Sequence, residues 1–306
     1  MFQRFFLRRL FILYLIGAAH AILFWHNDVL QYYALCGALL LPFVKVGNRT
    51  ILAFAALLLV VPAAITLAGP IPAESFTAPR DFLYERFGFA SDARVDLAAS
   101  GSFAQIVRLN LGSWFGQLDY VITSGWIFKI FGCFLLGFYL GRNEIYRNLH
   151  EYRPVIKRIA LIGLAVGLPL NVIYAATFYS SSWLHTVSDT VAILPLSAGY
   201  ASLLCWIWIG PSGNKLLHHF APVGRMALTN YVGQSVICTL IFYGTGLGLG
   251  GKMGPTLYLP IGFAVYLFQV IASRVWLNRF RFGPLEWLWR RLTYGIWIPL
   301  RKPAIV

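Results

Sequence analysis

Long apolar runs separated by short polar segments make up most of this chain of 306 residues. A helix needs roughly 20 apolar residues to cross a hydrocarbon core of about 30 Å, and eight runs come near that length. They lie at about 8–25, 29–44, 50–69, 121–140, 158–178, 189–210, 226–248 and 256–277. Within the fifth run, Gly163 and Gly167 stand one helical turn apart, a spacing typical of close helix packing. The pattern predicts an all-α polytopic transmembrane helix bundle with about eight spans, folded as a single integral membrane domain over residues 1–306.

Two segments outside the apolar runs have patterns of their own. Residues 70–120 form the longest connection, well beyond the usual loop length, and we predict an outer loop there that ends in an amphipathic helix along the membrane surface. In the C-terminal segment 282–295, apolar residues recur at the spacing of one helix face. Glu286 and Arg290 stand one turn apart on this helix and can pair, and Gly295 can end it. We therefore predict an interfacial helix over 282–295.

The composition supports the membrane assignment, because 58% of the residues are hydrophobic and only 12% are charged. Soluble domains carry about 25% charged residues. The net charge of +14 would also suit a nucleic-acid-binding protein. The basic residues lie between apolar runs, however, so we predict no nucleic-acid partner. They concentrate in alternate connections and at both ends of the chain, and by the positive-inside rule this predicts cytoplasmic termini and an outer position for residues 70–120.

His20 is the polar residue that a membrane environment explains least. It lies eleven residues after Arg9, or about 16 Å along a helix at 1.5 Å per residue, which places it near the middle of the bilayer. Gly17 and the adjacent alanines permit close helix approach. A neutral histidine at this depth can act as a general base, and the alternative is a hydrogen bond to a neighbouring helix. We take His20 as a candidate catalytic residue.

His26, Asn27 and Asp28 form the polar turn after the first run. Asp28 can cap the helix that begins at Val29, which is a purely structural role. In the functional alternative, Asp28 orients a histidine or binds a polar acceptor at the outer mouth of the bundle. Asp28 is therefore the second candidate catalytic residue, and His26 is a candidate substrate-binding residue.

Three further polar residues inside apolar runs are candidates for substrate or pathway contacts, because such groups are costly in a membrane. Lys129 lies near the outer end of its run, where it can extend to the surface or contact a substrate. Asn230 and Gln234 are one turn apart, so they can share a face that makes interhelical hydrogen bonds or lines a pathway. The four isolated cysteines and the scattered histidines lack metal-ligand spacing, and we predict no metal site.

Two stretches of the sequence resemble the bacterial membrane family known as domain of unknown function 418, the YeiB-like family. One is FLRRLFILYLIGAAHAILFWHNDVLQYYALCG near the N-terminus, and the other comprises GRMALTNY and FRFGPLEWLWRRLTYG near the C-terminus. The matching positions in the first stretch are Arg8, Arg9, Gly17, His20, Trp25, Asp28, Leu30, Tyr33 and Gly37. Proteins of this family usually begin with further hydrophobic spans that contain an Arg-Gly motif, so we expect this chain to be short at its N-terminus.

The resemblance implies a location and a function. The family is distantly similar to membrane acyltransferases, which implies that an acyl group passes from acyl-CoA in the cytoplasm to an envelope or secreted acceptor across the bacterial cytoplasmic membrane. The implied partners are membrane lipids, the acyl donor and the acceptor. The catalytic histidine of those relatives lies in an early span and is not carried over onto His20. If the family's N-terminal spans are essential, the resemblance implies an inactive chain or a truncated gene product.

Two other functions fit the same sequence. A small-molecule transporter would line its pathway with Lys129, Asn230 and Gln234, although no inverted repeat is recognisable. A non-catalytic membrane subunit would instead be required for the integrity of a larger complex.

The predicted orientation is testable by cysteine labelling in cells, after the four native cysteines are replaced. A membrane-impermeant thiol reagent applied from outside should label a cysteine at Ser91, within the predicted outer loop, but not one at Arg147, within a predicted cytoplasmic connection. Labelling at Arg147 without labelling at Ser91 would reverse the orientation.

Overall fold

The computed structural model describes residues 2–68, 74–87, 100–179 and 183–303, and these are predominantly helical. In chain order the helices are α1 (Phe2–Leu23), α2 (Leu30–Leu39), α3 (Asn48–Ala68), α4 (Glu74–Phe87), α5 (Phe103–Thr123), α6 (Trp126–Arg142), α7 (Arg153–Ala176), α8 (Trp183–Val191), α9 (Ile193–Ile209), α10 (Gly213–His218), α11 (Ala221–Arg225), α12 (Ala227–Phe242), α13 (Pro255–Arg279) and α14 (Pro284–Tyr294), with 3-10 helices at Leu41–Lys45 and Ile145–Arg147. Within the described ranges there is no strand, only an isolated bridge between Phe280 and Arg301. The predicted all-α class is confirmed.

Five helical segments of the described chain are long and apolar enough to cross a membrane. They are Gln3–Leu23, Asn48–Ile65, Arg153–Ala176, Trp183–Ile209 and Thr256–Arg279, and a sixth results if α5 and α6 count as one interrupted span. Each of the five coincides with one of the apolar runs in the sequence. These helices indicate a membrane protein, as the hydropathy pattern predicts.

The remaining apolar runs form shorter helices. The run at 29–44 divides into the ten residues of α2 and a 3-10 helix that has Pro42 in its first turn, because proline lacks the amide hydrogen that would continue the α-helix. The run at 226–248 yields the 16 residues of α12, and the run at 121–140 yields the 17 residues of α6. The total of eight spans and the cytoplasmic termini stay predictions.

The chain divides into two compact units, each built from separate stretches. Unit 1 comprises residues 1–38, 73–120 and 219–306, and unit 2 comprises residues 39–72 and 121–218.

Unit 2 is built on two helix pairs, α3 with α6 and α7 with α9. Ile51 and Ala55 of α3 are fully buried together with Leu135 of α6. Gly163 and Gly167 of α7 lie against α9, so the predicted packing face is confirmed. A Cβ atom on Gly163 would stand only 2.6 Å from the Pro195 carbonyl oxygen.

In unit 1 the C-terminal helix α14 packs against the start of α1. The Trp289 indole N–H donates to the Arg9 carbonyl oxygen (2.8 Å). Gly295 ends α14 in the left-handed conformation, with φ 69°, as the sequence predicts for this glycine. The N-terminal part of α1 and the C-terminal helix therefore lie at the same end of unit 1.

The predicted pairing of Glu286 with Arg290 is wrong. The Glu286 carboxylate instead accepts hydrogen bonds from the Thr229 backbone N–H (3.0 Å) and from the Thr229 hydroxyl, whereas the Arg290 guanidinium lies over the Phe282 ring. The first backbone N–H groups of a helix have no partner within the helix. Glu286 accepts one of them at the start of α12, and this hydrogen bond is worth more than a solvent-exposed ion pair with Arg290.

The described parts of segment 70–120 are helical, and residues 70–73 and 88–99 of the predicted outer loop lie outside the described residues. Helix α5 has one buried face, to which Ile106, Leu109 and Asn110 belong. Gly112 contributes to the same buried face, where a Cβ atom would clash with the Tyr84 ring of α4. The position of this segment outside the membrane stays a prediction.

The close approach of α7 and α9 predicts that Gly163→Val will destabilise the protein. The added side chain has no room against the α9 backbone, and overpacking of this kind costs about 1–3 kcal/mol. The free energy of unfolding, measured by denaturant titration in detergent micelles, should fall by that amount. Gly137→Val is the matched control, because no heavy atom lies within 4 Å of a Cβ at that position; equal losses in both variants would contradict the packing role.

Candidate functional site

The chain turns back on itself between α1 and α2 and thereby brings His20 and Asp28 together. Helix α1 ends when the backbone N–H groups of Phe24 and Trp25 both bond to the His20 carbonyl oxygen. Asp28, four residues after Phe24, returns to His20, and the distance between His20 Nδ1 and Asp28 Oδ2 is 2.7 Å. His20 is 2% exposed and Asp28 is 1% exposed. The two candidate catalytic residues therefore form a buried, directly hydrogen-bonded pair.

The Asp28 carboxylate accepts two further hydrogen bonds. Its Oδ1 atom accepts the Gln31 backbone N–H (3.2 Å), so Asp28 also caps the start of α2, as the turn sequence predicts. The Tyr231 hydroxyl of α12 donates to Oδ2 (3.3 Å) and accepts the Val29 backbone N–H (3.3 Å). A buried carboxylate must be compensated by donors or opposite charge, and these three donors supply that compensation.

This arrangement links the tautomer of His20 to Asp28. With an ionised Asp28, whose oxygens can only accept hydrogen bonds, His20 Nδ1 is the donor of the 2.7 Å hydrogen bond. In the neutral imidazole the other nitrogen, Nε2, then holds a lone pair. Nε2 is buried and has no hydrogen-bond partner among the described residues. A buried nitrogen without a hydrogen bond lowers the stability of the folded protein. The alternative in which His20 only makes a structural hydrogen bond therefore explains Nδ1 but not Nε2.

Side chains around the pair hold it in place. The Gln31 side-chain amide donates to the Gly17 carbonyl oxygen (3.4 Å) and accepts from the Trp114 indole N–H (3.1 Å). Asn110 of α5 donates to the Ile22 carbonyl oxygen (3.3 Å). Helices α1, α2 and α5 are thereby linked by side-chain hydrogen bonds directly around the His20–Asp28 pair.

Gly17 has a specific steric role in the same network. A Cβ atom on Gly17 would lie 2.6 Å from Asp28 Oδ1 and 2.9 Å from the Gln31 backbone nitrogen. Only glycine lets the turn between α1 and α2 come this close to α1. The small residue that the sequence associates with helix packing therefore makes room for the carboxylate.

Unit 1 contains a cavity of about 490 Å³, which neither His20 nor Asp28 lines directly. Tyr231 and Val29, which are bonded to each other and to the Asp28 turn, both line it. The other lining residues are Trp25, Asn27, Gln234, Ser235, Cys238, Thr239, Phe242 and Tyr243. The wall therefore mixes aromatic rings with neutral amide and hydroxyl groups, and no charged side chain is among these residues. Its volume falls in the range of small-molecule sites.

The remaining candidate residues of unit 1 occupy different positions. Gln234 lines the cavity, and His26 is half-buried with its ring 5.4 Å from that of Trp25. Asn230 faces α13, where it donates to the Ser273 hydroxyl (2.9 Å), and the Gln269 side chain donates to the Asn230 carbonyl oxygen. Asn230 thus makes the interhelical hydrogen bonds that are one of its two predicted roles.

Lys129 belongs to unit 2 and is separate from the network of unit 1. Its side chain is buried rather than extended to the surface. In the part of the chain that the structure describes, no three His, Cys, Asp or Glu side chains come together as metal ligands.

Three residues of the network were not predicted as functional. Tyr231 ends the C-terminal family stretch GRMALTNY, Gln31 is the polar residue of the shortest apolar run, and Trp114 lies on α5. The spacing of Asp28 and Gln31 is that of a helix cap and its third residue, which is a local signal. Nothing in the sequence connects Tyr231 to Asp28 or Trp114 to Gln31, because these contacts join residues 203 and 83 positions apart.

Comparison with known proteins gives similarities over almost the whole chain. Residues 140–296 match the family described as "Protein of unknown function (DUF418)". The chain is 32% identical to "Uncharacterized protein YxaH" of Bacillus subtilis (strain 168), covering 98% of this chain and 74% of that protein. It is 29% identical to "Uncharacterized protein YeiB" of Escherichia coli (strain K12), covering 93% and 74%. No solved structure matches this chain.

The buried pair predicts a large effect of Asp28→Ala on stability. The substitution leaves three donors without their acceptor, and breaking a buried polar pair costs about 3–5 kcal/mol. A double-mutant cycle with His20→Ala should give a coupling energy of at least about 1 kcal/mol from the free energies of unfolding.

Glu144→Ala is the control for this cycle. It removes an exposed carboxylate that pairs with Arg147 at 2.9 Å, and surface pairs of this kind are worth at most about 1 kcal/mol. Additive effects of the His20 and Asp28 substitutions would contradict direct coupling.

Proposed function

Because this chain belongs to the DUF418 family, whose description assigns no activity, we propose a function from the buried site itself. The proposed activity is transfer of an acyl group from acyl-CoA to an envelope or secreted acceptor in the bacterial cytoplasmic membrane. The observation that carries the proposal is the histidine–aspartate pair, in which Asp28 binds Nδ1 of His20 and leaves Nε2 without a partner among the described residues, while Tyr231 connects Asp28 to the cavity. Two residues with this arrangement form the base of many acyl-transfer sites.

The reaction would proceed by general base catalysis. His20 Nε2 removes the proton from a hydroxyl or amine of the acceptor while that oxygen or nitrogen attacks the thioester carbonyl carbon of acyl-CoA. The tetrahedral intermediate collapses, the carbon–sulfur bond breaks, and the CoA thiolate leaves with the proton from His20. The products are the acylated acceptor and free CoA, and His20 returns to its neutral form.

The surroundings of the pair support distinct roles for the neighbouring residues. Asp28 stabilises the imidazolium that forms during proton transfer, and Tyr231 holds the Asp28 carboxylate from the side of α12. The cavity offers Asn27 and Gln234 as hydrogen-bonding groups for the acceptor and Trp25 as an aromatic wall. Its mixture of rings and neutral polar groups suits an uncharged polar acceptor.

In the predicted membrane arrangement, the proposed base would lie near the middle of the bilayer. With eight spans and cytoplasmic termini, α1 enters from the cytoplasmic side at Arg9, and His20 lies about 16 Å further along the helix. A base near the middle of the bilayer can be approached by a donor from one side and by an acceptor from the other. Membrane lipids would surround the site.

Small-molecule transport is the second candidate function, supported by the polar residues of the cavity wall. Gln234, Ser235 and Thr239 line the cavity along one helix, as expected for a helix that faces a substrate pathway. A transporter would move its substrate without covalent change, so the two candidates differ in whether CoA is released.

The proposal predicts that His20→Gln abolishes acyl transfer by the purified full-length chain in proteoliposomes. With radiolabelled acetyl-CoA and a set of sugar and amine acceptors, label transfer and CoA release should fall about 100-fold or more, the usual contribution of a general base. Asp28→Asn should lower the rate in the same direction, because an amide no longer fixes the tautomer.

His218→Gln is the matched control, since His218 is exposed near a predicted cytoplasmic connection. It should leave the rate unchanged, and gel filtration should show that each variant is folded. Transfer that persists in His20→Gln would refute the role of this histidine. Substrate flux across the proteoliposome membrane without CoA release would favour transport instead.

A further inference from the structure

Four arginines lie on the two segments that meet where the beginning of α1 packs against the C-terminal helix α14. Arg8 and Arg9 come from α1, and Arg290 and Arg291 come from α14. We call this group the arginine cluster. It belongs to unit 1, and it forms only because segments about 280 residues apart in sequence pack against each other.

Contacts between α1 and α14 fix the first two arginines. The Arg9 guanidinium carbon lies 4.3 Å from the centre of the Trp289 ring, whose indole N–H binds the Arg9 carbonyl oxygen. The Arg8 guanidinium packs against Gly295 so closely that a Cβ atom there would lie 3.4 Å from two of its nitrogens. Both side chains are thereby held at the last turns of α14.

Aromatic rings hold the other two arginines. The Arg291 guanidinium carbon is 4.3 Å from the centre of the Trp297 ring and also lies over Trp287. The Arg290 guanidinium lies 4.8 Å from the centre of the Phe282 ring. Stacking on a ring orders a guanidinium without neutralising its charge, and its N–H groups at the edge stay available to an acceptor.

No carboxylate neutralises the arginine cluster within the described ranges. None of the four arginines makes an ion pair there, and the nearest acidic residue of α14, Glu286, is bound to Thr229. Four positive charges on two packed helices, with no carboxylate among the described residues to compensate them, create a positive potential that attracts an anion.

Exposed apolar side chains lie beside the arginine cluster. Leu292 is 44% exposed, Ile296 is 62% exposed and Trp297 is 69% exposed. Arginines next to exposed leucine, isoleucine and tryptophan are typical of a surface at the boundary between lipid headgroups and hydrocarbon. An anion at this boundary that offers oxygen atoms in a geometry matching guanidinium is a lipid phosphate.

We propose that the arginine cluster is a binding site for the phosphodiester of anionic glycerophospholipids. The guanidinium N–H groups bind the phosphate oxygens, while the exposed apolar side chains contact the upper part of the acyl chains. Zwitterionic lipids carry a cation on the same headgroup, which the cluster repels, so the site selects phosphatidylglycerol over phosphatidylcholine. This site is independent of the acyl-transfer proposal, because it uses no residue of the His20 network.

Native mass spectrometry of the delipidated full-length protein in detergent tests the site. Phosphatidylglycerol and phosphatidylcholine with identical acyl chains are titrated separately, and the apparent Kd of the first bound lipid is measured. Wild type should prefer phosphatidylglycerol. Each arginine near an anionic surface contributes about a fivefold gain in binding, so R8Q/R291Q should weaken phosphatidylglycerol binding about 25-fold and leave phosphatidylcholine unchanged. R8K/R291K, which keeps the charges, should retain most of the binding.

Arg147→Gln is the matched control, because Arg147 is also an exposed arginine over an aromatic ring, that of Tyr146. It should not alter the lipid preference. Equal affinity of wild type for the two lipids would overturn the proposal whether or not the double variant folds, and so would unchanged binding in folded R8Q/R291Q. Displacement of the lipid by an equal concentration of glycerol phosphate would assign the cluster to a soluble phosphate ligand and overturn the lipid site.

Discussion

The hydrogen bond between His20 and Asp28 is the interaction on which the surrounding structure of unit 1 depends. A carboxylate removed from water loses several kcal/mol of solvation, and donors must replace that solvation. The Gln31 amide and the Tyr231 hydroxyl supply two of the three donors, and the absence of a side chain at Gly17 lets them converge. The turn, the start of α2 and the position of α12 therefore follow from one buried charge.

The same bond connects folding with chemistry. Because His20 stands on a regular helix and Asp28 on a helix cap, the pair has little freedom to rotate, and rigid placement is what general base catalysis requires. Tyr231 adds a contact from a distant helix and also lines the cavity. Tyr231 is therefore the structural link between the carboxylate and the cavity.

The two units use different forces at their centres. Unit 2 relies on close backbone approach at glycine and on apolar contacts such as Ile51 with Leu135, which is the usual basis of helix association in lipid. Unit 1 combines polar networks with a charged end, where α14 packs on α1 through Trp289. The buried polar groups proposed for chemistry therefore lie in unit 1, whereas unit 2 buries the amine of Lys129.

Hydropathy and local patterns determined the helical class, five of the long helices, the end of α14 at Gly295 and the capping role of Asp28. Each of these depends on residues within a few turns of one another, since the period of a helix and the geometry of a cap are local properties. Tertiary structure alone decided that His20 meets Asp28, that Tyr231 joins them, that Glu286 binds Thr229 instead of Arg290, and that Lys129 is buried. The physical reason is that a polar side chain in an apolar run signals a need for a partner, but the partner comes from whichever helix packs beside it.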